Sequence, residues 1–366
     1  MAATKDHDAA AALAAFHESR AGVRGLVESG VNAVPPIFLT ASPQPQSSPP
    51  TPAAFSIPAV DFSLPRSDTV ALVRAAARSC GFFHAINHGV PSGTVASAIT
   101  AARAFHEQPR AARSAFYSME PVGAVAYSTI PNAPQQGAPV LPWRDTLRVR
   151  FGPGEPDLGR LPAACRDALR EYQRSLTAFG KEMAGLLSEA LGVGAERLEE
   201  AMRVEGWLMA CHYYPPCPEP ERVVGSLEHT DPSLFTVLAQ DGVGGLQVRR
   251  GDGGAGGEWV DVAPVNGALL VNIGDVLKQA VSNDELKSVE HRMVIKSTQD
   301  ARVSIALFFN PAKRGASDHF GPLPELVTAE KPAQYRSFTV PEFMSSRREY
   351  GHSRSSIERF KMSSGQ

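Results

Sequence analysis

Leu227-Glu228-His229-Thr230-Asp231 is the stretch from which the chain is read. A histidine and a carboxylate two residues apart on a strand share one face, with Cα atoms about 6.6 Å apart. An imidazole nitrogen and a carboxylate oxygen so placed can converge on one ion. His291, in Ser288-Val289-Glu290-His291-Arg292, offers a third ligand. Two imidazoles and one carboxylate on a β scaffold hold a divalent metal from one side and leave the opposite positions open. His-x-Asp alone is a weak signal, and its ordinary reading is a polar strand end beside a turn. The odds change with Arg302-Val303-Ser304, which opens the apolar run Ile305-Ala306-Leu307-Phe308-Phe309. Arg302 and Ser304 share a face by the same alternation. An inward arginine is costly unless a carboxylate pairs with it. Together these features suggest a metal with an acidic co-ligand held behind it.

These motifs, with Tyr213-Tyr214-Pro215-Pro216-Cys217-Pro218 upstream, resemble the plant Fe(II)/2-oxoglutarate-dependent dioxygenases. Gly81-Phe82-Phe83-His84-Ala85-Ile86-Asn87-His88-Gly89-Val90 is similar to that family's N-terminal signature. Trp143-Arg144-Asp145-Thr146-Leu147 and residues 31–38 resemble the branch of aminocyclopropane-carboxylate oxidase homologues, which is benzoxazinoid dioxygenase-like. The likeness runs over roughly residues 21–360, with 41–54 outside it.

The resemblance implies a mostly β fold with flanking helices: a double-stranded β-helix (jelly roll) core with a helical N-terminal region. It implies Fe(II) on His229, Asp231 and His291. It implies 2-oxoglutarate as co-substrate, bound to the metal at one end and to Arg302 at the other, helped by the hydroxyls of Ser304 and Tyr214. Ascorbate enters as an optional reductant. The family often has Asn two residues before the tyrosine matching Tyr214; here His212 stands there, at the co-substrate site. An imidazole can donate a hydrogen bond but can also titrate near neutral pH. The branch points to hydroxylation of a small specialised metabolite, with O2 consumed and 2-oxoglutarate decarboxylated to succinate and CO2. Two other functions stay open: an oxidase that uses ascorbate and no 2-oxoglutarate, and a non-catalytic jelly-roll binding protein.

Composition agrees with a soluble enzyme. Hydrophobic residues at 43% and charged residues at 20% suit a globular core. The net charge of −2 gives no field favouring nucleic acid or an anionic membrane. Four cysteines are too few for a disulfide scaffold in 366 residues and suggest a reducing compartment. Lys5, Asp6 and Asp8 precede a short alanine run, which is not a leader pattern, so the cytoplasm is the expected location. No residue run marks a large apolar interface, and a monomer is expected.

Along the chain, five regions are expected: an N-terminal helix and Pro-rich linker (1–54), an N-terminal dioxygenase region (55–165), long scaffold helices (166–204), the jelly-roll core (205–312) and a C-terminal helical extension (313–366). A helix is expected over 8–29 and a linker over 41–54. A strand follows over 55–62, then a helix from Asp68 capped by Ser67, and a strand over 82–87. His84 and His88 read as hydrogen-bonded scaffold. A helical stretch runs from Pro91 to about Phe116 with a break at Pro109. The strongest helical pattern covers 161–191, with apolar residues at Leu169, Tyr172, Leu176, Phe179, Met183, Leu186 and Ala190, and a short helix follows at 195–202. From Gly206 the pattern becomes eight short strands. Gly251–Gly257 reads as a hairpin tip, since no helix follows to hold a phosphate. Asn272-Ile273-Gly274-Asp275 reads as a turn and 341–350 as a helix. The irregular stretch 127–141 matches a substrate-facing loop of the family and reads equally as an inert surface loop. Tyr127 at its start, Trp143 after it and Phe308 are the candidate pocket residues. For Trp143 and Phe308 plain packing is the competing reading.

Overall fold

The computed structural model describes residues 2–43, 56–118, 124–129, 140–151, 158–251, 257–312, 315, 317–350 and 355–362. Most of the expected linker, the centre of the 127–141 loop and residues 252–256 of the glycine run lie outside the described residues. The N-terminal half holds α1 (Ala2–Ser19), α2 (Gly22–Glu28), β1 (Ala59–Asp61), α3 (Arg66–Ser79), β2 (Phe82–Ile86), α4 (Ser92–His106), α5 (Arg110–Ser114), β3 (Val125–Ser128), β4 (Asp145–Arg150), α6 (Arg166–Ala190) and α7 (Arg197–Met202). The strands β5 (Val204–Tyr214), β6 (Ser226–His229), β7 (Phe235–Gln240), β8 (Leu246–Arg250), β9 (Glu258–Asp261), β10 (Leu269–Ile273), β11 (His291–Met293) and β12 (Arg302–Pro311) follow. A small hairpin sheet of β13 (His319–Phe320) and β14 (Phe338–Thr339), then α8 (Val340–Tyr350) and α9 (Ser355–Glu358), complete the order.

The eight strands expected after Gly206 all form, and they divide between two sheets. The larger runs β1-β2-β10-β7-β12-β5-β4-β3 and the smaller β6-β11-β8-β9. All pairings but β1–β2 are antiparallel. The two sheets close on one cavity lined from both, the jelly roll expected from the sequence. Strands β1 to β4 of the N-terminal half extend the same large sheet. β3 and β4 went unread because both are short and the second abuts the Trp143 motif.

The α6 stripe behaves as its spacing predicts: Leu169, Tyr172, Leu176, Phe179, Met183, Leu186 and Ala190 are all buried. The larger of these each stabilise the fold by about 1.5–3 kcal/mol. The helix packs on α3, α4 and the outer face of β5. Gly180 makes the close approach possible, since a Cβ there would stand 1.9 Å from the ring of Phe309.

Several local readings need correction. The expected 8–29 helix is broken, with Arg20 and Gly22 in the left-handed region at φ 51° and 67°. The break frees the start of α2, where the Val23 and Arg24 N–H groups donate to the Asp145 carboxylate at 2.9 and 2.8 Å. Ser67 does not cap α3, which begins at Arg66 after Pro65. The strand read over 268–273 forms as β10, so Asn272 and Ile273 lie in it and not in the turn read over 272–275, and a π-helical turn, Val276–Val281, follows. All four cysteines are buried free thiols. Among the described residues no helix is long and apolar enough to cross a membrane.

Candidate metal and co-substrate site

β6 and β11 pair so that His229 lies directly opposite His291. Their rings sit 4.3 Å apart, centroid to centroid. Asp231 falls just beyond the end of β6, not on the strand as expected, so alternation alone does not aim it. Its placement comes from the large sheet: Thr236 of β7 and Asn272 of β10 donate to Oδ2 at 2.6 and 2.9 Å. That leaves Oδ1 facing the histidines, 3.7 Å from each Nε2. One ligand atom from each of the three lies within 4.8 Å of the others.

The donor set fits a metal ion. His229 Nδ1 lies 2.8 Å from the Leu227 carbonyl and His291 Nδ1 lies 3.2 Å from that of Val289. A carbonyl only accepts, so each Nδ1 carries the proton and each Nε2 presents its lone pair toward Asp231. Burial, with His291 beside it, pushes the His229 imidazole down to about 3, so the neutral, ligating form prevails. Burial acts to raise the Asp231 carboxyl. The two imidazoles and the Thr236 and Asn272 donors outweigh it and hold the group below its ordinary value.

Arg302 and Ser304 share the inward face of β12, opposite Tyr214 and His212 on β5. The Arg302 guanidinium donates to Ser304 Oγ and Gln240 Oε1, each at 2.8 Å, and stands 5.1 Å from the Tyr214 ring centre. It is buried, its Nε has no partner, and no carboxylate forms an ion pair with it among the described residues. Burial lowers its pKa, and only Tyr214 and Asp241 act to raise it. A buried cation in this state is suited to an incoming anion.

His212 differs from the sequence expectation. It shares a hydrogen bond between Nδ1 and Thr146 Oγ1 at 3.0 Å. Burial, with Arg144, Arg148 and Arg302 near it, holds its pKa well below the ordinary value. It stays neutral through the neutral range and does not titrate there.

A cavity, about 540 Å³ when the open solvent at its mouth is included, joins these groups, lined by His229, Asp231, His291, Arg302, Ser304, Tyr214, His212 and Phe308 among others. Tyr127 and Trp143 do not reach it. Tyr127 is buried on β3 and donates its hydroxyl to Asp145 Oδ2 at 2.9 Å. Trp143 packs against Phe38 with its Nε1–H directed to the Pro216 carbonyl at 3.3 Å. Its neighbour Arg144 lines the cavity instead. Arg144, Gln240, Thr236 and Asn272 escaped the sequence reading. For Asn272 the available signal is an amide inside the apolar run Leu269-Leu270-Val271-Asn272-Ile273.

Residues 206–311 match the 2OG-Fe(II) oxygenase superfamily, and residues 57–164 match the N-terminal region of non-haem dioxygenase in morphine synthesis. The chain is 39% identical to 1-aminocyclopropane-1-carboxylate oxidase homolog 4 of Arabidopsis thaliana, over 90% of this chain and 92% of that protein. It is 34% identical to a homolog from Solanum lycopersicum, over 98% of each. Among solved structures, JOX2 in complex with 2OG, Fe and JA superposes with a TM-score of 0.78 at 28% identity, covering 93% of this chain and 98% of that one. The rice dioxygenase for auxin oxidation does so at 0.68 and 26%, covering 84% and 100%. The chain therefore belongs to the 2OG-Fe(II) oxygenase superfamily, among its plant 1-aminocyclopropane-1-carboxylate oxidase homologues, and is a dioxygenase that uses Fe(II) and 2-oxoglutarate.

Proposed function

We propose that the enzyme hydroxylates a small plant specialised metabolite, with 2-oxoglutarate decarboxylated to succinate and CO2 in the same cycle. One observation carries this reading: the buried Arg302 guanidinium, without a carboxylate partner among the described residues, opens onto the same cavity as the His229, Asp231 and His291 donors. That arrangement supports a dianion held at both ends. The solved relatives whose descriptions name JA and auxin oxidation support a small plant metabolite as substrate.

Bound Fe(II) supplies the open coordination positions and the electrons with which dioxygen is activated. The protein's residues do the rest by placement. His229 and His291 are fixed by their Nδ1–H bonds and present Nε2; Asp231 presents Oδ1 because Oδ2 is occupied. Arg302 binds the far carboxylate of the co-substrate as a charge-assisted pair, with Ser304 and Tyr214 beside it. His212, neutral, adds no competing charge there. Apolar side chains, Phe82, Leu246 and Met293 among them, keep water from the remaining space.

The test is succinate formation by the purified protein with Fe(II) and 2-oxoglutarate, stimulated by a plant metabolite extract. His291→Ala should abolish it while circular dichroism stays unchanged. Turnover retained in that variant would overturn the ligand assignment. Product formed with ascorbate and no 2-oxoglutarate would favour the ascorbate oxidase reading instead.

A further inference from the structure

We propose that Arg144 binds a carboxylate on the organic substrate itself, so that this enzyme acts on small carboxylic acids with an apolar body. The inference rests on the Fe(II)/2-oxoglutarate reading and deepens it.

Arg144 precedes β4 and lines the cavity that holds the metal donors and Arg302. Its Cζ lies 6.0 Å from the Tyr214 ring centre, and that of Arg302 lies 5.1 Å from the same point. The two guanidiniums thus lie close to the same tyrosine ring, but their circumstances differ. Arg302 is oriented by Ser304 and Gln240. The Arg144 side chain makes no hydrogen bond and no ion pair among the described residues, and its Nε is buried without a partner. Neighbouring cations are engaged: Arg148 donates to Ser128 Oγ at 2.9 Å, and Arg292 donates to Gln247 Oε1 at 2.8 Å and lies over the Trp259 ring.

Charge decides what Arg144 is for. The two charges of iron and the one of Arg302 balance Asp231 and the co-substrate dianion, and Arg292, also at the cavity wall, is offset by Glu228 and Asp261. Arg144 is left over, and the neutral His212 beside it supplies no counter-charge. A surplus cation in a partly desolvated cavity is unfavourable until an anion meets it. A single planar guanidinium matches a single carboxylate, two oxygens to two N–H groups. A phosphate with nearly two charges would again leave the site unbalanced. The other walls, Phe82, Leu246, Leu270, Met293 and Phe308, are apolar and suit a hydrocarbon or aromatic body.

The test loads wild type and Arg144→Gln with Fe(II) and 2-oxoglutarate under anaerobic conditions. Each is titrated calorimetrically with phenylacetic, 3-phenylpropanoic, 4-phenylbutanoic and 5-phenylpentanoic acids and with their primary amides. Wild type should bind at least one acid about ten- to a hundredfold tighter than its amide, the range for a charge-assisted pair. Arg144→Gln should erase that ratio, leave the amide's affinity as it was, and leave 2-oxoglutarate affinity unchanged. Three results overturn the proposal: no acid outbinds its amide in wild type, the ratio survives in the variant, or the variant weakens 2-oxoglutarate instead. Failure of wild type to bind 2-oxoglutarate at all sinks the co-substrate reading. The acid and amide titrations on the Fe(II) protein alone then decide the role of Arg144 separately.

Discussion

The Arg347 guanidinium donates to the carbonyl oxygen of Thr230 at 3.0 Å, across 117 residues of sequence. Thr230 stands between His229 and Asp231, so α8 grips the loop that joins two of the three candidate metal donors. The same guanidinium pairs with Asp275 at 3.1 Å, and both residues are almost fully buried. Asp275 also accepts from the hydroxyls of Thr230 and Ser288, and its N–H donates to the Asp231 carbonyl. Arg347→Ala leaves that carboxylate buried without its cation. The expected cost is about 3–5 kcal/mol in a urea melt. Metal affinity should fall by about ten- to a hundredfold, read by Mn(II) titration of the folded fraction. A folded variant with undiminished affinity would show that α8 does not position the ligands.

Arg302→Gln should raise the 2-oxoglutarate dissociation constant by about ten- to a hundredfold, the range for losing a charge-assisted pair. Mn(II) affinity measured without co-substrate should not change, because Arg302 touches no metal donor. Arg302→Lys should recover only part of the loss, since a point charge replaces a planar fork. Equal affinities in the three proteins would remove Arg302 from the co-substrate site.

Gly180→Ala pits two effects against each other. Helix propensity favours alanine inside α6 by about 1 kcal/mol. The new methyl would overlap Phe309, which is buried and stacked on Phe235 at 4.7 Å with an interplanar angle of 13°. Overpacking of this kind costs about 1–3 kcal/mol. Net destabilisation is expected, read as a lower melting temperature. A variant more stable than wild type would mean that the helix can move off the sheet.

His106 stacks on Tyr213 at 5.1 Å and bonds the Cys211 carbonyl through Nε2. Burial pushes its pKa from 6.5 down to about 3. The unfolded chain thus takes up a proton near pH 6.5 that the folded chain refuses until far lower pH. The stability this neutral ring contributes is whole above pH 6.5 and declines below it, by about 1.4 kcal/mol per pH unit. His106→Gln should flatten the fall in unfolding free energy between about pH 6.5 and pH 5 by that slope. Parallel curves for the two proteins would mean that the ring is protonated in the folded state.

The candidate metal donors His229 and Asp231 and the Arg302–Ser304 pair were legible in the sequence because each sits in a short motif, whereas His291, 60 positions beyond Asp231, is brought near only by the pairing of β6 with β11. Strand alternation settles which way Arg302 and Ser304 face, and the His229–Asp231 spacing is short. The helical stripe of α6 was legible for the same reason. Arg347 and Asn272 were not, because they act across 117 and 41 residues that no local period records, and Thr236, five residues from Asp231, reaches it only because the chain turns between them. Tyr127 and Trp143 were misplaced since an aromatic beside an irregular loop has no periodicity to say which way it faces. In the fold, Asp145 takes the phenol of Tyr127 and a backbone carbonyl takes the indole N–H of Trp143.

Phe83 of β2 sits in register with Val271 of β10, so a strand made early is clasped by one made much later. Severing the polypeptide between 165 and 166 would therefore not release two self-sufficient pieces. The first would carry β2 held only by β1, with the side that meets β10 left open. The second would expose the backbone of β10 along one side, an open template for another chain to stack on. Split versions should come out of solution as aggregates when made singly and recover only when both halves are produced together.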